Sequence, residues 1–127
     1  MLKLMNNMVV VETVVAISEA LNIARRAGVD GTVLFETMAK GSADSFPLRS
    51  HGMKSVLPGE FPTRSFSTEY MLKDMTYACA LAEQMGAAVP GAVGIELLRK
   101  TIAAGYGDRY WPALSVVLAA EQKDAAS

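Results

Sequence analysis

Lys3 and Asn7 lie four residues apart in the run Lys3-Leu4-Met5-Asn6-Asn7. On a helix that spacing puts an ammonium and a carboxamide on one face, one turn apart. Such a pair suits a substrate oxygen that gains or loses a proton, with lysine as general acid or base and the amide as an anchor. A second polar pair, Lys73-Asp74, follows Phe66 and interrupts an otherwise apolar stretch. Neighbours on a helix point about 100° apart, so the two are not a simple ion pair. One could face a cleft while the other ties down an adjoining segment. A third group, Gly41-Ser42-Ala43-Asp44-Ser45-Phe46, brings hydroxyls and backbone N–H groups to a helix start, where a carboxylate or phosphate could bind. Taken by spacing alone, each group has a commoner origin: a solvated polar helix start, a charged surface face, and plain N-capping.

Other chemistry is poorly represented. His51 is the single histidine and has no acidic or cysteine cluster around it, so no metal site is expected. The single cysteine, Cys79, cannot form an internal disulfide and accords with a reducing compartment. Gly105-Tyr106-Gly107 begins like a dinucleotide fingerprint, but it follows a helical pattern, and Tyr110 stands where the third glycine belongs. Gly91 and Gly94 also lack a preceding strand, which leaves no phosphate-cradling loop in these residues.

The elements that position these groups read as helices. No Pro or Gly occurs from Leu2 to Ala27, and Leu4, Met8, Val11, Val15, Ala16 and Ile23 recur at helical spacing. The middle of that segment is apolar nearly all round, which predicts a helix running through a core or an intersubunit interface. Gly28 stops it, with Arg25 and Arg26 placed at the negative end of its dipole. Asp30 caps a short helix from Thr32 to Ala39, and a third covers Phe46 to Met53 with Pro47 in its first turn. Pro58, Gly59 and Pro62 make a loop. Ser67 caps a helix reaching Met85, Pro90 opens another through Ala104, and a last helix covers Tyr110 to Ala120. Glu121–Ser127 reads as a flexible tail, leaving residues 1–120 as one helical domain. No window alternates as a strand would, so the expectation is an all-α fold of about six helices around one long apolar N-terminal helix. The methionines at helical spacing read as core or interface filler.

Composition narrows the classes. With 51% hydrophobic residues in 127, the chain fills one genuine core. A net charge of −1 and no Lys/Arg stripe argue against nucleic-acid binding. The apolar stretch Met8–Ile17 is interrupted by Glu12 and Thr13 and is shorter than the ~20 residues of a bilayer span, which favours a buried helix in a soluble protein over a membrane anchor.

Taken together and in order, these motifs resemble the C-terminal domain of the β-hydroxyacid dehydrogenases. Those motifs are Lys3-Leu-Met-Asn-Asn heading a long apolar helix, Gly28-Val-Asp, Gly41-Ser-x-x-Ser-Phe, Phe66 followed by Leu72-Lys-Asp, and Met85-Gly-x-x-x-Pro. That family includes 3-hydroxyisobutyrate dehydrogenase and tartronate semialdehyde reductase and is related to 6-phosphogluconate dehydrogenase. The likeness runs from about Lys3 to Leu118. It implies that Lys3 is the catalytic lysine exchanging a proton with the substrate oxygen, and that Asn7 and Lys73 bind substrate. It further implies that Phe66, Lys73 and Asp74 lie near the cofactor. The implied cofactor is NAD or NADP in the full-length protein, with none bound to this chain alone, and the implied substrate is a small hydroxyacid or semialdehyde. A dinucleotide-binding domain in the same or another chain would complete the site, since no such domain is present in these residues. The chain is thus expected to be a cytoplasmic, homodimeric helical portion or descendant of such an enzyme, inactive by itself. The alternative is a non-catalytic dimerisation module derived from the same family.

Overall fold

The structure, a computed structural model, describes residues 1–91 and 94–125. Its first element, α1 (Leu2–Arg26), is the axis of the fold. It is followed by α2 (Gly31–Ala39), α3 (Leu48–Val56), α4 (Thr68–Gln84), α5 (Ile95–Thr101) and α6 (Leu114–Ala125). Among the described residues there is no strand, only two isolated bridges, and the fold is all-α as expected.

Helix α1 packs against α2, α3, α4 and α6. Its buried residues include Val11, Val14, Ile17 and Leu21, which meet Phe35, Leu48, Met71, Met75, Leu98, Trp111 and Leu114 in one core. By length and composition α1 could cross a bilayer, contrary to the shorter apolar stretch read from the sequence. In this fold the other helices close over one side of it, including Val11, Val14, Ile17 and Leu21, while Val9 and Ile23 stay exposed.

The caps follow the sequence. The Asp30 carboxylate accepts from the backbone N–H of Thr32 at 2.7 Å and of Val33 at 3.4 Å. The Ser67 hydroxyl accepts from Tyr70 N at 3.1 Å, and Ser45 does the same for Leu48 N at 3.1 Å. Asp44 pairs with Arg49 at 3.0 Å, so the Gly41–Phe46 group is occupied with capping and surface pairing.

Several boundaries differ from expectation. Helix α3 is wound as a π-helix and extends to Val56. Gly52 within it lies so close to α1 and the core that an added Cβ would sit 2.8 Å from Ile17 Cδ1. Pro90 does not open α5: Gly94, with φ +71, holds a left-handed conformation immediately before Ile95, which breaks any helix reaching back to Pro90. After Thr101 the chain continues as a π-turn, Ile102–Tyr106, ended at Gly105 with φ +98. A short 3₁₀ turn, Trp111–Ala113, precedes α6, which runs to Ala125, beyond the tail boundary expected at Glu121. Ala126 and Ser127 lie outside the described residues.

Candidate active-site cleft at the head of the long helix

The segment before α4 is clipped to the segment before α6. Tyr110 N donates to Pro62 O at 2.8 Å, Trp111 N to Phe66 O at 2.9 Å, and Thr68 N to Arg109 O at 2.9 Å. The Thr68 side chain is fully buried, and its hydroxyl also donates to Arg109 O at 3.2 Å. These bonds join residues more than forty positions apart and bring Phe66, Tyr110 and Trp111 to one place. Facing them, the first turns of α1 present Asn6, Asn7 and Val10. Between lies a cleft of about 420 Å³, walled also by Phe46, Pro47, His51 and Met71.

Asn7 is held in this wall. Its Nδ2 donates to Asp74 Oδ2 at 3.0 Å, and its Oδ1 accepts from Asn6 Nδ2 at 3.4 Å. Asp74 is buried on α4, so its carboxylate fixes the orientation of the Asn7 amide. Lys73, the preceding residue, turns outward as helical geometry requires. It is exposed, and its Nζ stands 5.9 Å from the centre of the Tyr70 ring. Tyr70 in turn meets Phe66 edge to face, with centroids 5.8 Å apart. Of the Lys73-Asp74 pair, Asp74 ties α4 to α1 as the spacing suggested, while Lys73 is free of that bond and does not line the cleft. Lys3 is exposed one turn before Asn7. Neither lysine lines the cleft: Lys3 lies one helical turn before Asn7, and Lys73 lies by Tyr70, which meets Phe66.

The far wall is aromatic. His51 stacks on Tyr110 with centroids 5.8 Å apart and leans on Trp111 at 5.2 Å. Its Nδ1 is buried without a hydrogen-bond partner among the described residues. Burial lowers the His51 pKa, favouring the neutral ring, and burial raises that of the Tyr110 phenol. Sequence reading missed these residues as site components. A lone histidine and an aromatic pair after a glycine stop carry no local signal of convergence; only the pairing of two distant segments unites them. No group of three or more His, Cys, Asp or Glu able to hold a metal occurs among the described residues.

The arrangement can bind a small, partly flat and partly polar molecule between an amide-bearing helix and an aromatic wall. Its polar edge can orient an oxygen, and its rings exclude water from one side.

The chain is similar to known proteins over most of its length. Residues 1–114 match the family described as NAD-binding of NADP-dependent 3-hydroxyisobutyrate dehydrogenase. An uncharacterized oxidoreductase of Shewanella frigidimarina is 27% identical over 108 residues, covering 85% of this chain and 36% of that protein. Chloroplastic glyoxylate/succinic semialdehyde reductase 2 of Arabidopsis thaliana is 29% identical over 106 residues, covering 84% of this chain and 29% of that protein. The chain thus spans about a third of the length of these relatives. Among solved structures, 3-hydroxyisobutyrate dehydrogenase of Salmonella typhimurium superposes with a TM-score of 0.80 at 21% identity, over 91% of this chain and 40% of that one. The Mycobacterium tuberculosis 3-hydroxyisobutyrate dehydrogenase, solved with L-serine, gives 0.75 at 25% identity, over 91% of this chain and 42% of that one.

Proposed function

The chain belongs to the NADP-dependent 3-hydroxyisobutyrate dehydrogenase family, and we propose that it supplies the substrate-holding and proton-handling wall of an NAD(P)-dependent 3-hydroxyacid dehydrogenase or semialdehyde reductase. The observation that carries this reading is the Asn7–Asp74 hydrogen bond at the cleft wall, which fixes the Asn7 amide one helical turn from Lys3.

NAD(P), when bound, supplies hydride for reduction and accepts it in oxidation. The chain's own residues do the rest. Asn7, locked by Asp74, holds the substrate oxygen in one orientation, so little freedom is lost on reaching the reactive geometry. The Lys3 ammonium gives its proton to the carbonyl oxygen in reduction, and the lysine takes the hydroxyl proton in oxidation. Lys73 supplies positive charge for the acid end of the substrate. Phe66, Tyr110 and His51 would offer ring faces to a nicotinamide. No strand feeds a glycine-rich turn among the described residues, so the residues present suit the flat end of the dinucleotide and not its pyrophosphate. A dinucleotide-binding domain would hold the phosphates.

The test is complementation. The 127-residue chain is expected to show no turnover of 3-hydroxyacids with NAD or NADP. Joined to the dinucleotide-binding domain of a relative, it is expected to gain activity, and Lys3→Ala to lose about 10²–10⁴-fold in kcat. A Lys3→Ala protein as active as its parent would refute the assignment.

A second reading, dimerisation through α1, draws on the exposed apolar residues Leu2, Val9 and Ile23, which are 83%, 58% and 66% accessible. Light scattering across a concentration series tests it, and a strictly monomeric chain would dismiss it.

A further inference from the structure

Three turns beyond Asn7, α1 carries a second polar pair, Ser18 and Asn22, four residues apart on one face and only 1% and 8% exposed. Ser18 Oγ and Asn22 Nδ2 are both buried without a hydrogen-bond partner among the described residues. Both residues line a cavity of about 370 Å³ that shares no residue with the cleft at Asn7. Ser115 of α6, itself buried, faces them, and the Val56–Phe61 segment closes the remaining side. Ser18 lies about 16 Å along the helix axis from Asn7, so the two hollows are distinct.

A buried polar group without a partner destabilises the fold, and native proteins leave few of them. Two side by side on one cavity wall mark a place where the missing hydrogen bonds come from outside the chain. The lining specifies the chemistry of what supplies them. Its polar groups are the hydroxyls of Ser18 and Ser115, the amide of Asn22 and, at the rim, the Arg25 guanidinium. Arg25 is tethered there by Nη2 donating to Leu57 O at 3.4 Å. None of the described lining residues is acidic, and most of the others present hydrocarbon, chiefly Leu21, Val56 and Phe61. Donors and one fixed positive charge beside an apolar surface favour an acceptor-only anion with a short hydrocarbon body, because hydrogen bonds to a carboxylate are charge-assisted.

We infer that the Ser18–Asn22–Ser115 cavity is a second binding site, taking a small aliphatic monocarboxylate at a place separate from the candidate active-site cleft. Its occupant completes the hydrogen bonds of Ser18 and Asn22, places its charge toward Arg25 and packs its chain on Leu21 and Phe61.

The experiment titrates the isotopically labelled chain with sodium butyrate, and in parallel with butylammonium chloride, following backbone and side-chain amide resonances. Saturable shifts centred on Ser18, Asn22, Ser115 and Arg25 are expected with butyrate alone. Affinity should fall at least tenfold in Asn22→Leu and in Arg25→Gln; the latter alters an exposed side chain and keeps the test decisive if the former does not fold. Ser18→Ala should weaken butyrate binding yet raise the melting temperature of the free chain, because it deletes an unpartnered buried hydroxyl. A purely structural Ser18 would instead lower the melting temperature and leave the titration unchanged. Absence of saturable shifts, equal shifts with butylammonium, shifts centred on Asn7 and His51, or a butyrate-soaked crystal holding only ordered water in the cavity would each overturn the inference.

Discussion

The Asn7 carboxamide donates to the buried Asp74 carboxylate across 3.0 Å, linking the first helix to the fourth at the edge of the cleft. The bond joins positions 67 residues apart, so it serves the tertiary fold as well as any bound substrate. Asp74 has little access to water, and Asn7 is a hydrogen-bond partner that water cannot fully replace.

Replacing Asn7 by Leu strands the Asp74 carboxylate. The expected cost is about 1–3 kcal/mol of unfolding free energy, seen as a lower midpoint in denaturant with an unchanged slope. Asp74→Asn retains an acceptor oxygen and should lose less. Equal stability of Asn7→Leu and the parent would show that the bond contributes nothing to the fold.

Lys73 makes the opposite prediction. It is exposed, and its Nζ stands 5.9 Å from the Tyr70 ring centre, so Lys73→Met should change stability by less than about 1 kcal/mol. In a protein completed with a dinucleotide-binding domain, the same change should raise KM for an acid substrate about tenfold, equivalent to ~1.4 kcal/mol of binding. Steady-state kinetics with an acid substrate and its neutral amide separates the two effects, because the amide should be indifferent to the change. Loss of both substrates' affinity would argue for a role other than charge.

Burial lowers the His51 pKa below its ordinary 6.5, which fixes a pH dependence. Below about pH 6.5 the unfolded chain takes up a proton that the folded chain accepts only at lower pH. The unfolded state therefore binds more protons in that window. Stability is full above it and declines as pH falls toward the folded pKa. His51→Gln removes this contribution, so its melting temperature should fall less between pH 7 and 5 than the parent's. Parallel profiles for the two proteins would contradict the burial of the ring.

Gly52 reports on how closely α3 approaches α1. A Cβ there would stand 2.8 Å from Ile17 Cδ1 and 3.4 Å from the Phe35 ring. Gly52→Ala should destabilise by about 1–3 kcal/mol through overpacking. Adding Ile17→Val, which removes the clashing methyl, should recover part of that loss in chemical denaturation. A double variant no more stable than the single would place the strain elsewhere.

Much of this molecule is decided locally. Asp30 and Ser67 cap helices because a short side-chain oxygen can reach the free N–H groups of the turn that follows, whatever lies around it. The apolar periodicity of α1 likewise forces it into a core, and the run from Lys3 to Asn7 sets both side chains on one face of it. The family was legible too, because the order of its short motifs is a property of the chain itself.

Other features exist only through tertiary packing. The partner of Asn7 is Asp74 and not Lys73 because α4 presents that face to α1, a matter of helix rotation that no local pattern encodes. His51, Tyr110 and Trp111 form a wall because backbone bonds clip residues 62–68 to 109–111. The start of α5 at Ile95 instead of Pro90 depends on Gly94, which is left-handed beside Val11 and Val15 of α1. Local spacing determines which residues share a helix face; the choice of which faces meet belongs to the core, where burial of apolar area outweighs the preference of any single turn.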